Sequence, residues 1–114
     1  MELKDAGDFQ GSIDEFARIK QKGFDEKNIS DLMISLLYFH ELENTNSALP
    51  HAKLAVKQKP ASEMASVCLT HCLFDSKLHQ EVNAEIRRYL ASGGKVKEYE
   101  LLLSENGLKI EDFT

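Results

Sequence analysis

The sequence predicts an all-α fold: an antiparallel helix-hairpin solenoid closed by a C-terminal capping helix. Three observations predict it. First, residues recur in register. Ser12, Phe16 and Ile19 return as Ala48, Ala52 and Ala55 after 36 residues, then as Val82, Ile86 and Tyr89 after 34. Ile34, Ser35 and Tyr38 return as Leu69, Thr70 and Leu73 after 35. A repeat near this length marks stacked helix pairs, each needing a neighbour to bury its apolar face. Second, apolar residues keep helical spacing throughout, and no segment reads as a strand. Third, short polar or Gly- and Pro-containing breaks separate the segments, so successive helices must return antiparallel.

Six helices follow from caps, periodicity and breakers. The first spans about Asp8–Gln21, with Phe9, Ile13, Phe16, Ala17 and Ile19 on one stripe, and Gly23 ends it. The second spans about Ile29–Leu42, with Asn28 or Ser30 as cap. Glu43-Asn44-Thr45-Asn46 turns the chain into a third helix at about Ser47–Gln58, with Pro50 expected in its first turn. Pro60 stops that helix. Ser62 caps a fourth at about Ser62–Phe74, Asp75-Ser76-Lys77 is a turn, and a fifth runs about Leu78–Ala91 to Gly93-Gly94. The sixth, about Val96–Ser104, carries Val96, Tyr99, Leu102 and Leu103 on one side and stops at Asn106-Gly107. Leu108, Ile110 and Phe113 of the tail are placed to tuck against it. The chain reads as one domain over 1–114: a half unit at about 7–23, units at about 28–60 and 61–92, and a cap at about 95–105.

Composition narrows the function. A net charge of −5 disfavours nucleic acid, which calls for a basic stripe. Lys53, Lys57 and Lys59 gather near one helix end, where cations also suit the helix dipole. Met1 is followed by Glu2, Lys4 and Asp5, with no apolar leader, and no apolar run is long enough for a membrane span. A cytoplasmic location with Cys68 and Cys72 as reduced thiols is the expectation.

The repeating residues resemble the tetratricopeptide repeat (TPR), a two-helix unit of about 34 residues. Ile34-Ser35-Tyr38 and Leu69-Thr70-Leu73 are similar to the large–small–large pattern of its first helix. Ala48-Ala52-Ala55 and Val82-Ile86-Tyr89 are similar to that of its second helix, and Pro60 matches the closing proline. Gly7-Asp8-Phe9, then Ser12, Phe16 and Ile19, resembles the turn and second helix of a preceding unit. The resemblance spans about Gly7–Leu90. The chain departs from the pattern where Ala52 and Ile86 replace an aromatic, and where Ile19 and Tyr89 replace a small residue. The turn after Tyr38 also carries one extra residue. The chain thus opens on a second helix without its first, so a longer array, another segment or another chain is expected to cover that face.

The resemblance implies that the first helix of each unit lines a concave groove. Its lining would be Ile29, Leu32, Leu36, Phe39 and His40, with Met64, Val67, His71, Phe74 and Asp75. An apolar patch of this size marks a binding surface, and Met suits an adaptable one. Two other readings stand beside it: a neighbouring helix fills the groove, or these residues are core. The family also uses a Lys, Asn and Arg clamp for a chaperone-tail carboxylate. The comparable positions here are Ile29, Leu32, Leu36, Met64 and Cys68, with His71 alone as a cation, so that specificity is not implied.

Chemistry is sparse. Cys68, His71, Cys72 and His79 invite zinc, because i and i+4 ligands share a helix face, but no second cysteine pair completes a structural site. A Cys–His nucleophile needs an oxyanion site, and no Gly-rich loop or strand end builds one. Gly93-Gly94-Lys95 lacks phosphate-loop spacing. His40, His51, His71 and His79 titrate near neutrality but lie on four segments. No catalytic residue, metal or cofactor is expected. The expected function is non-catalytic binding of a protein or peptide in the groove. The alternatives are an accessory domain of a larger enzyme or secretion component, and a small metal- or thiol-dependent enzyme using those Cys and His residues. Self-association as a homodimer is a further expectation, since an unmatched helix and an apolar groove both favour cover.

Overall fold

The computed structural model describes residues 8–114. Gly7 of the opening turn and the Met1–Asp5 segment lie outside the described residues. The order is α1 (Phe9–Gln21), α2 (Ser30–Leu36) running on into a π-helical turn (Leu37–Glu41), α3 (Thr45–Gln58), α4 (Glu63–Asp75), α5 (His79–Ala91) and α6 (Lys97–Glu105). A short 3₁₀ turn, Ile110–Phe113, closes the chain. Among the described residues there is no strand, and no helix is long and apolar enough to cross a membrane. Each of the helices α1 to α4 packs on the next in the chain, and α6 packs on α4. The described chain measures 41 × 26 × 22 Å.

Local chemistry sets most boundaries. Asp8, Asn44 and Ser62 cap α1, α3 and α4, their side chains accepting the amides of Gly11, Ser47 and Ala65 at 3.0–3.2 Å. The cap of α2 differs from expectation. Neither Asn28 nor Ser30 serves; the Asp25 carboxylate accepts the amides of Ile29 (3.0 Å) and Ser30 (3.2 Å) from across the turn. Asn28 instead takes the left-handed conformation, φ 53°, which Asn tolerates. Gly23 ends α1 at φ 77°, as a glycine terminator does.

Pro50 is a second departure. Because α3 starts at Thr45, Pro50 falls in its second turn, where its missing amide leaves the Asn46 carbonyl without a donor. Both residues are exposed, so water serves that carbonyl. Pro50→Ala is expected to restore the bond and raise stability by about 1 kcal/mol, below the ~3 kcal/mol of a mid-helix proline. Chemical denaturation measures it, and an unchanged midpoint would show that the proline is cost-free there.

The recurring residues form the packing seam. Ala48, Ala52, Ala55, Val82, Ile86 and Tyr89 are all buried, as are Ile34, Ser35, Leu69, Thr70 and Leu73. Small side chains on α3 let it approach both α2 and α4. The first triplet is looser: Ser12 is buried, but Phe16 and Ile19 remain part-exposed. The tail completes the other end. Phe113 is buried, Leu108 and Ile110 pack on the same core, and the Arg87 guanidinium donates to the Phe113 carbonyl at 3.0 Å.

Two polar networks join the helices. In one, the fully buried Asp31 of α2 accepts from Lys20 of α1 and Gln58 of α3 and pairs with the His51 ring of α3. In the other, Ser66 of α4 donates to Glu85 of α5 at 2.6 Å, while Ser66 and Thr70 share hydrogen bonds with the Tyr99 hydroxyl of α6. Arg88 closes on both Glu85 oxygens at 2.9 and 2.7 Å. Glu63 caps α6 from a distance, one carboxylate oxygen accepting the amides of Glu98 and Tyr99. Gly94 is required beside this network, because a Cβ there would lie 2.5 Å from the Tyr89 hydroxyl, which donates to the Lys95 carbonyl. Among the described residues every buried side-chain nitrogen or oxygen has a partner.

Burial, against the hydrogen bonds with Ser66 and Thr70, pushes the Tyr99 phenol up to about 12, so it is neutral at any working pH. Tyr99→Phe should cost about 1–2 kcal/mol, because Thr70 loses its hydroxyl partner in a dry site. Urea denaturation measures this, and a neutral result would mean that water or Glu85 takes the vacated place.

Candidate partner-binding face

The placement of the candidate residues follows from the register of α2, α4 and α6. The chain reverses at Leu42–Asn44 and again at Lys59–Ser62, so α2 and α4 run parallel. Cross-links set their alignment. Ser35 Oγ and Cys68 Sγ lie 3.0 Å apart, joining α2 to α4, and Ser66 meets Tyr99, joining α4 to α6. Further along, Phe39 lies against His71, so the contacts advance together along α2 and α4. Residues that are not used in the seam then share one face.

On α2 and the π turn these are Leu32, Leu36, Phe39 and His40; on α4 they are Met64, Val67, His71, Phe74 and Asp75. None of them falls among the fully buried residues. Leu32, Leu36, Phe39, Val67 and Phe74 are half-buried, each resting one side on the core. Met64 is 58% exposed and Ile29 38% exposed, at the end where α2 and α4 begin. Ile29 also turns toward α1, lining a cleft of about 270 Å³ with Phe16, Ile19 and Phe24.

The π turn does the arranging at the other end. Ten positions separate Tyr38 from Ala48, against nine from Leu73 to Val82. The extra residue is absorbed where the Leu42 amide donates to the Leu37 carbonyl, five residues back, at 3.1 Å. Such insertions are frequent at functional sites. Here it brings two consecutive rings to α4: His71 lies 5.8 Å from Phe39 and 6.2 Å from His40, and the two π-turn rings meet edge-on at 5.0 Å. Burial, then the adjacent His40, hold the His71 imidazole below the usual value, with Glu105 pulling the other way. The ring is therefore neutral at pH 7.

Two residues escaped sequence reasoning. Glu105 of α6 is near enough for its charge to act on the His71 imidazole, and Leu101, 59% exposed, lies one turn before it on the same side of α6. Reading α6 purely as a cap hid both.

The sulfur and imidazole groups do not converge. Cys68 and Cys72 are buried in the seam as free thiols, and the hydrogen bond with Cys68, together with burial, pushes the Cys72 thiol up. His79 is exposed at the start of α5, on a different element from His71. Among the described residues no three His, Cys, Asp or Glu side chains gather to hold a metal. Comparison with known proteins adds no family: no family model, no curated protein and no solved structure matches the chain.

Proposed function

We propose that this chain is a non-catalytic protein-interaction module, a TPR-like helix-hairpin solenoid that takes a polypeptide segment across the face of α2, α4 and α6. The π turn carries the reading. A helix that served packing alone would gain nothing from an inserted residue that leaves Phe39 half-buried and His40 exposed beside His71 rather than in the core. Leu32, Leu36, Val67, Phe74 and Leu101 extend the apolar area beside them, and Met64 ends it with an adaptable side chain. The acidic net charge favours a polypeptide over nucleic acid, and the free thiols suit a cytoplasmic scaffold.

A displayed random-peptide library selected on the chain tests this. Clones retained by the wild type and lost by Phe39→Glu and by Val67→Glu support the face; clones indifferent to both sink it. One observation favours a second reading, self-association: Phe24 is 71% exposed above the α1 cleft. Molecular mass over a dilution series decides between them. A dimer abolished by Phe39→Glu would give the α2–α4–α6 face to a second copy, and one abolished by Phe24→Glu would place the contact on α1.

A further inference from the structure

We infer that the partner is an apolar segment ending in Lys or Arg, and that its basic end lies over the C-terminal ends of α2, α4 and α6. The inference rests on the face proposed above and adds a chemistry and a direction to it. Parallel helices bring three C-termini to one edge: Glu41 at the end of the π turn, Asp75 on α4 and Glu105 on α6. Each helix end presents unpaired carbonyls and about half a negative charge.

The side chains there add to that charge instead of cancelling it. The last turns of α1, α3 and α5 carry Arg18 and Lys20, Lys57, and Arg88, the usual complement to a helix dipole. The last turns of α4 and α6 carry no basic residue, and the π turn carries only His40. Glu43 and Asp75 line one polar cleft of about 550 Å³ at this edge, beyond Phe39 and Phe74. Lys77, in the turn after α4, and Lys109, four residues after α6, are the cations nearest in sequence. The alternation matters, because the helices facing away from the proposed groove carry cations in their last turns, while α4 and α6, which build it, carry none. Asp75 at this edge accepts the Thr45 hydroxyl, and its other oxygen is left for a cation from outside. At the opposite edge Ile29 and Met64 are exposed and apolar, which sets the direction of the segment.

The test continues the library selection. Clones that depend on Phe39 should carry an excess of Lys and Arg at one end of an apolar stretch. A synthetic peptide from such a clone should bind Glu43→Lys/Glu105→Lys at least roughly ten-fold more weakly than wild type, and lose affinity in high salt. Both glutamates are exposed, and the new lysines complement the helix dipoles, so the variant should fold. Phe39-dependent clones without basic enrichment, or unaffected by the reversal, overturn the charge inference and leave the face standing. No Phe39-dependent clone at all overturns the face, and this inference with it.

Discussion

Lys20→Met should lose about 3 kcal/mol of folding stability at pH 7, lowering the melting temperature by roughly 10 °C. The reason lies on its partner. Lys20 is partly in water, at 39% exposure, but Asp31 is entirely buried. Removing the ammonium leaves a carboxylate in the protein interior with only Gln58 and His51 beside it. Burial alone would raise the Asp31 carboxyl, yet the hydrogen bonds from Lys20, His51 and Gln58 and the Lys20 charge hold it below its ordinary value. A carboxyl lowered by folding adds stability that is fully present above its unfolded value, about 4, and is lost as pH falls through the lower folded value. In Lys20→Met the sign reverses, because burial then raises the carboxyl and protonation relieves it. The two proteins should therefore differ most near neutrality and draw together as pH falls toward the lowered folded value of Asp31. Paired urea denaturation at pH 7 and pH 3.5 checks both statements. A loss under about 1 kcal/mol at pH 7 would show that Asp31 is neutral or hydrated in the folded chain. Replacing Asp31, Lys20 and His51 together with apolar residues should cost less than Lys20→Met alone, since no buried charge then remains unpaired.

Phe39→Glu should weaken partner binding by about 100-fold while leaving helical circular dichroism unchanged. Phe39 is half-buried, with one face on the core and the other beside His40 and His71. Truncating a central aromatic anchor of an interface commonly costs ~2 kcal/mol or more, and the new carboxylate would have to be desolvated against the partner's apolar stretch. The fold should tolerate the change at about 1–2 kcal/mol, because the new carboxylate still reaches water and the π turn is held by backbone hydrogen bonds. Loss of the helical signal would instead make Phe39 a core residue and dissolve the proposed face. Phe39→Leu is the companion variant: it keeps the apolar contact, loses the ring–imidazole contacts, and should bind with intermediate affinity.

Particular elements show where sequence reasoning stops. The helix count, the cap of α4 and the stop of α1 were legible, because Ser62 and Gly23 act on amides and carbonyls a few residues away. Asp25 as the cap of α2 was not legible, because Asn28 and Ser30 satisfy the same local rule and only the shape of the turn chooses among them. Pro50 was placed one turn early for a similar reason: both Asn44 and Ser47 suit a helix start. The spacing of ten residues against nine after Tyr38 and Leu73 was visible as an irregularity, yet loop and helix can each absorb one residue. The structure puts it in the helix, and that choice turns Phe39 and His40 toward His71.

The sequence by itself determined six helices, their breaks and the small and apolar residues of the seam. These depend on helical periodicity and on contacts within a turn. Only the tertiary structure decided which helices share a face, that Leu101 and Glu105 belong to it, and that Lys20, His51 and Gln58 converge on Asp31. Those pairings span 11, 20 and 27 residues. They depend on the register between helices to within one residue, and a repeat that varies from 34 to 36 leaves that register open. Packing of the seam closes it, and the polar partners then follow from where the seam has put them.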